Sequence, residues 1–250
     1  MNAVYRTAEL SLYFSASRIA WDQFYESERV TISRLGPQKH HTVLDVGCGC
    51  GGLGLALRER FSTCDYTGVE INELAAETAR AMNSEARILC GDIVHLSEGA
   101  LAGKRFDLVF SLSCIDWNAD FSEMLAAAWT HVRPGGHLVS TFRLTVDEGC
   151  NDAGRSYQYI NSSGSRDGEH ATYVVKNASE LLEELAMLGP SAIDAYGYWG
   201  SPSPTAITPY QALCFVAISM RKRRASDTLP LTRRLDLPQD VIAALEASQR

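Results

Sequence analysis

Residues Thr42–Gly54 read TVLDVGCGCGGLG, and this stretch decides the fold. Val43, Leu44 and Val46 make a short apolar, β-branched run of the kind that forms a strand buried on both faces. Gly47, Gly49, Gly51 and Gly52 crowd together directly after it, and Leu53–Arg60 continues as a helix. Strand, glycine turn and helix form the first unit of a nucleotide-binding α/β domain. A side chain in such a turn would keep the backbone from bending sharply and touching the ligand. Gly47, Gly49 and Gly52 also satisfy the G-x-G-x-x-G spacing of dinucleotide enzymes, so the turn alone leaves the ligand open.

The elements on either side narrow the choice. Asp45 stands two residues before the first glycine, where a carboxylate suits a cationic or amine-bearing ligand better than a pyrophosphate. A second strand, Tyr66–Val69, ends in Glu70, an acid placed to accept hydrogen bonds from both hydroxyls of a ribose. Third and fourth strands, Arg87–Cys90 and Phe106–Phe110, run into Gly91-Asp92 and Ser111. A helix, the turn Arg133–Gly136 and a fifth strand, His137–Phe142, complete the series.

Five ordered segments, LDVGCGCGG, GVEI, CGDI, FDLVFS and VRPGGHLV, resemble those of the class I S-adenosylmethionine-dependent methyltransferases. The resemblance covers residues 42–142 closely and the remainder by layout. It implies a Rossmann-like, doubly wound α/β fold: a seven-stranded, mostly parallel sheet with helices on both faces and an antiparallel last strand. It also implies S-adenosyl-L-methionine as cofactor, lying over the carboxyl ends of the first strands. Carried over by position, Asp45 and the turn through Gly47, Cys48, Gly49 and Gly51 would hold the methionine end. Glu70 would take the ribose hydroxyls, Ile71 and Ile93 would lie by the adenine, and Asp92 would meet its amino group. Ser111 would stand near the cofactor's carboxylate or amine.

Composition agrees with a single domain carrying extensions. Of 250 residues, 46% are hydrophobic and 21% charged, ordinary globular shares that exclude a disordered chain. No apolar run approaches the ~20 residues of a membrane helix, and the N-terminus lacks a secretory pattern. Seven cysteines is an odd number, none in paired C-x-x-C clusters, which fits reduced thiols and a cytoplasmic location. No Cys/His cluster has metal-ligand spacing. A net charge of −7 argues against an obligate nucleic-acid partner.

Residues 1–41 read as an N-terminal helical cap, 42–220 as the cofactor-binding domain and 221–250 as a basic C-terminal extension. Within the cap, apolar and aromatic residues recur near a helical period through Leu35, and Gly36-Pro37 stops the pattern. Its aromatics either pack in the core or line an acceptor pocket; Tyr13, Trp21 and Tyr25, with Tyr159, are the pocket candidates. Residues 145–175 form a lid-like insertion with short strands at Gln158–Ile160 and Ala171–Val175. Ser179–Leu188 is an amphipathic helix capped by Asn177 or Ser179. Ile193–Trp199 and Ala212–Ser219 supply the last two strands around a rigid Gly200–Thr205 loop. The run Arg221–Arg224 reads either as a phosphate grip or as the solvated end of an edge strand.

The segment after the fourth strand faces the acceptor in this fold. Asp116 is its candidate for polar contact or proton relay, or equally a helix cap, and Trp117 its candidate aromatic wall. The segment is not the Asn/Asp-Pro-Pro-Tyr/Phe motif of base and glutamine methylation. Three functions are compatible with this pattern. The first is methylation of a small-molecule or saccharide-type acceptor. The second is RNA or protein methylation, with the C-terminal arginines as its handle. The third is a non-catalytic binding member of the fold.

Overall fold

The apolar run ahead of the glycine turn is a strand, β1 (Thr42–Val46), buried from Val43 onward. The computed structural model describes residues 9–63, 65–118, 121–161 and 163–248. Helices α1 (Glu9–Ala16) and α2 (Glu26–Leu35) precede β1. The turn opens α3 (Gly52–Phe61), followed by β2 (Asp65–Glu70), α4 (Glu73–Met82), β3 (Arg87–Cys90) and α5 (Ile93–Glu98). Next come β4 (Phe106–Ser111), α6 (Phe121–Thr130) and β5 (Val132–Thr145). All neighbours in the order β3-β2-β1-β4-β5 pair in parallel. The winding reverses between β1 and β4, which leaves a crevice at their carboxyl ends.

Beyond β5 lie β6 (Tyr157–Tyr159), β7 (His170–Thr172), β8 (Lys176–Asn177), α7 (Ala178–Met187) and β9 (Pro190–Gly200). The chain ends with β10 (Ala206–Ile207), β11 (Leu213–Lys222), β12 (Thr232–Asp236) and α8 (Gln239–Ala247). β11 runs antiparallel between β5 and β9. The expected seven strands are therefore present with the antiparallel closure. β12 adds a parallel edge beside β9 and β8 two residues beside β5, making a sheet of nine.

Alternate residues of the central strands feed two layers. Val43, Leu108 and Phe110 pack with Ile32, Leu57 and Ala79 of α2, α3 and α4. Leu44, Val46 and Val109 meet Ile93, Leu125, Leu181 and Leu245 of α5 to α8. Full burial of each large apolar side chain is worth about 1.5–3 kcal/mol, so the strands ending at the crevice are a rigid platform. Asn177 caps α7, its Oδ1 accepting from the N–H groups of Ser179 and Glu180.

Three segments depart from the linear reading. The periodic stretch before Leu35 is broken after Ala16: Arg18 adopts a left-handed backbone (φ +63°) and a single 3-10 turn, Trp21–Gln23, precedes α2. Gln23 Oε1 accepts from the freed N–H groups of Ile19 and Ala20, replacing the lost helical bonds. The break lets α1 reach α4, where Ser11 Oγ meets Thr78 Oγ1 at 2.8 Å, while Thr31 of α2 bonds the Ala217 carbonyl in β11. Residues 1–8 of the expected cap lie outside the described residues.

The insertion's strands are β6 and β7, and they pair with β10 as a separate three-stranded sheet. One of that lid sheet's three strands therefore comes from β10, directly after the Gly200–Thr205 loop. The stretch from residue 221 does not stand apart as an extension. β11 continues through Lys222, β12 joins the sheet, and Val241 and Leu245 of α8 are buried in the core. Residues 249–250 lie outside the described residues.

Candidate functional site

The glycine turn folds back over the end of β2, since the N–H groups of Gly47 and Cys48 both donate to the Val69 carbonyl at 2.8 and 3.0 Å. That fold brings Glu70 against the turn. Its Oε2 accepts from Gly49 N–H at 2.8 Å and its Oε1 from Asn72 N–H at 2.9 Å. Burial raises the Glu70 pKa above the usual carboxylate value, partly offset by those backbone donors. Ile71 N–H also acts on this carboxylate, and its two oxygens together keep capacity for a further donor such as a ligand hydroxyl.

Gly47 has a left-handed backbone (φ +74°), and a Cβ there would lie 2.2 Å from Cys114 Sγ. Gly47→Ala is therefore expected to weaken nucleoside binding about tenfold or more, the left-handed penalty alone being ~1–2 kcal/mol. Combining it with Cys114→Gly should restore part of the loss, read by calorimetry. At Gly49 an added Cβ would find Phe14 no closer than 3.6 Å, so only the backbone conformation (φ +54°) demands glycine. Gly51 does not line the cavity; its missing side chain admits Asn83 Nδ2, which a Cβ would meet at 2.5 Å.

A cavity of about 470 Å³ opens over the turn. Asp45, Gly47, Cys48, Gly49, Glu70, Ile71, Asp92 and Ile93 line it together. Asp45 accepts from Tyr66 Oη at 2.6 Å, and burial pushes its pKa up to about 7. Asp92 caps α5 by accepting from Val94 N–H at 2.9 Å. Ser111, like Gly51, is a cofactor candidate that falls outside this lining. It is fully buried as the last residue of β4 and does not line the cavity. The chain reaches that space only one residue later, through Leu112, Ser113 and Cys114.

The same cavity continues past Trp117 and Asn118, between Tyr13 and Tyr25 of the N-terminal segment and the lid residues Gln158–Asn161 and Ser203–Thr205. Trp117, Tyr13, Tyr25 and Tyr159 thus come together, and Trp21 does not. Its indole packs edge-on against Phe61 at 5.3 Å, because the break after Ala16 turns that part of the stripe away. Asp116 is also absent from the lining. Its Oδ2 forms a buried ion pair with Arg143 Nη2 at 2.8 Å, and the Arg143 guanidinium stacks on Tyr173 at 3.7 Å and Trp117 at 4.7 Å. Burial raises the Asp116 pKa, and Arg143 opposes that shift. Asp116 therefore braces Trp117 and has no path to the cavity. The residues just before α6 that would cap it lie outside the described residues.

The periodicity reading passed over Arg18 and Phe14 of the N-terminal segment and Ser203–Thr205 of the loop before β10. Among the described residues six cysteines are free thiols; Cys64 lies outside them. No group of three or more described His, Cys, Asp or Glu residues is placed to hold a metal ion. No helix among the described residues is long and apolar enough to cross a membrane.

Residues 44–138 match the family model described as a methyltransferase domain. In that stretch the chain is similar to the class I S-adenosylmethionine-dependent methyltransferases. The chain is 34% identical over 122 residues to the biotin biosynthesis bifunctional protein BioCD of Bordetella avium, covering 48% of this chain and 26% of that protein. It is 34% identical over 97 residues to the trans-aconitate 2-methyltransferase of Deinococcus radiodurans, covering 38% and 35%. The chain thus spans about a quarter to a third of the length of these relatives. The fold is similar to that of Burkholderia thailandensis 1,6-didemethyltoxoflavin-N1-methyltransferase, with TM-score 0.55, 18% identity and coverage of 85% of this chain and 81% of that one.

The residues lining the cavity fit S-adenosylmethionine, which joins a flat base, a diol and a zwitterionic amino-acid end. The cavity supplies apolar Ile71 and Ile93, the acid Glu70 with spare lone pairs, and the acid Asp45. It also carries Arg18, whose Nη1 is buried without a hydrogen-bond partner. At Gly47 the turn leaves room that any side chain would fill.

Proposed function

We propose that this protein transfers a methyl group from S-adenosylmethionine to a small-molecule acceptor held in the same cavity. The observation that carries this reading is the continuity of one space of about 470 Å³ from the glycine turn to the lid. Its size lies within the ~300–1,000 Å³ typical of small-ligand sites. When bound, the cofactor supplies both the sulfonium methyl and its own leaving group.

In this reading Glu70 accepts from the ribose hydroxyls, Ile71 and Ile93 pack on the adenine, and Asp92 accepts from its amino group. Asp45 receives the ammonium of the amino-acid end. The carboxylates lining the cavity, Asp45, Glu70 and Asp92, all belong to this cofactor half. The acceptor half carries aromatic rings and neutral polar groups: Tyr13, Tyr25, Trp117, Asn118, Gln158 and Ser203. Those residues align a flat or hydroxylated acceptor and exclude water, the main task in an in-line displacement.

Use of the basic run inside the fold supports a small acceptor over RNA or protein. Arg221 pairs with Asp227 at 2.9 Å, Lys222 donates to the Trp129 carbonyl, and Arg223 donates to the Leu229 and Pro190 carbonyls. Arg221 is in register with His137 near the start of β5, on the edge opposite the cavity. Transfer of a labelled methyl to a panel of hydroxylated and carboxylated metabolites, RNA and protein tests the proposal. Labelling of a small molecule is expected; labelling of RNA alone, lost in an Arg233→Gln/Arg234→Gln variant, would overturn it.

The Asp45 reading has a pH signature. With its pKa raised to about 7 by burial, Asp45 is largely protonated at pH 6, and an arriving ammonium favours the charged form. Binding then releases a proton. Affinity for S-adenosylhomocysteine is expected to fall as pH drops below 7, approaching tenfold per unit. Calorimetry at pH 6 and 8 in buffers of different ionisation heat checks this. A flat profile without proton release would remove Asp45 from the ammonium site.

A further inference from the structure

Past the glycine turn, the acceptor half of the cavity is walled by Tyr13, Tyr25, Tyr159, Trp117, Asn118 and Gln158. The two carboxamides are already engaged as donors, Asn118 to the Cys114 carbonyl at 2.9 Å and Gln158 to Ser203 Oγ at 3.0 Å. The phenols and the indole are the remaining donors of that wall. The Trp117 N–H is buried with no hydrogen-bond partner among the described residues, and an unmet buried donor is costly. A cation stands behind the wall: the Arg143 guanidinium lies 4.7 Å from the Trp117 ring and 3.7 Å from the Tyr173 ring. Burial raises the pKa of Tyr173, and the opposing pull of Arg143 there exceeds the push of Asp116, its ion-pair partner.

Methyl transfer to a hydroxyl or an ammonium releases a proton, which a base must take. The titratable side chains named in this wall are tyrosines. Burial raises the pKa of Tyr25, and hydrogen bonding with Tyr157 raises that of Tyr159, so at neutral pH both hydroxyls donate and neither takes a proton. Asp116 is turned to Arg143, and His170 stacks on Tyr159 at 5.8 Å without lining the cavity. At pH 7 an amine or phenol of pKa ~10 is deprotonated to about one part in a thousand, whereas a carboxylate of pKa ~4 is fully ionised. A wall of donors backed by a cation suits the second, because hydrogen bonds to an ionised acceptor are the strong ones. We propose that the acceptor presents a carboxylate to this wall, held by the hydroxyl of Tyr25 and the indole N–H of Trp117, and leaves as its methyl ester. A carboxylate oxygen forms the new C–O bond, the methyl carbon's bond to sulfur breaks with its electron pair going to sulfur, and no proton is released. This substrate class rests on the methyl-transfer reading above.

The test adds benzoate, or its uncharged isostere benzamide, to the complex with S-adenosylhomocysteine and reads binding by calorimetry. Benzoate is expected to bind about tenfold or more tightly than benzamide. Tyr25→Phe/Trp117→Phe keeps an aromatic ring at both positions and removes both donors. It should erase most of that preference while affinity for S-adenosylhomocysteine, which also reports folding, is retained. Equal affinity for the two probes, binding of neither, or an unchanged preference in the variant would overturn the proposal. Transfer of a labelled methyl to matched acids, alcohols and amines reads the product. Label is expected in esters, from which base releases it as volatile methanol. Label that survives base would overturn the carboxylate assignment and leave the methyl-transfer reading standing. If the unaltered protein does not bind S-adenosylhomocysteine, that reading itself fails.

Discussion

Replacing Asp116 with alanine is expected to lower the unfolding free energy by about 3–5 kcal/mol, the usual cost of removing one partner from a buried ion pair. Arg143 would be left charged at 4% exposure with its principal partner gone. The remaining contact, Nη1 to the Val174 carbonyl, is long at 3.4 Å and cannot compensate. Because Arg143 also supports the Trp117 ring, the acceptor wall should loosen while the nucleoside half of the cavity keeps its affinity. Urea denaturation measures the first effect and S-adenosylhomocysteine calorimetry the second. The double variant Asp116→Ala/Arg143→Met is expected to regain most of the stability, since no charge is then stranded. Full stability in Asp116→Ala together with a lost turnover would instead make Asp116 a chemical participant.

Glu70→Ala is expected to weaken S-adenosylhomocysteine binding by about 1.5–3 kcal/mol, roughly 10- to 150-fold, the scale of charge-assisted hydrogen bonds. Two effects add. The ligand loses an acceptor for its hydroxyls, and the turn loses the carboxylate that holds Gly49 N–H and Asn72 N–H. Glu70→Gln keeps one acceptor oxygen and should fall between the two. Faster amide exchange at Gly49 would report the loosened turn. Unchanged affinity in Glu70→Ala would refute the ribose assignment.

These two acids contrast in how far a linear reading reaches them. Glu70 and the turn are legible because their demands are local. A strand must end, a backbone must turn with left-handed residues at Gly47 and Gly49, and an acid must follow on the neighbouring strand. Parallel pairing of β1 with β2 then brings Glu70 to the turn with little freedom to do otherwise. Asp116 is equally visible in the sequence, but its side-chain direction is not. It depends on Arg143, a residue of β5 that the sheet places behind Trp117. Trp21 misleads for a related reason: a helical period assumes an unbroken helix, and the left-handed Arg18 rotates everything after it.

Sequence alone therefore determined the α/β architecture, the place of the glycine turn and the acids at the ends of β1, β2 and β3, since each follows from local backbone geometry and strand order. Only the tertiary structure decided which side chains meet across long separations. It drew Ser203–Thr205 into the lid through β10, turned Asp116 inward to Arg143, joined the C-terminal segment to the sheet as an edge strand, and brought Arg18 to the cavity lining. The reason is that side-chain direction and long-range pairing follow from competition for burial and hydrogen-bond partners, which no local pattern encodes.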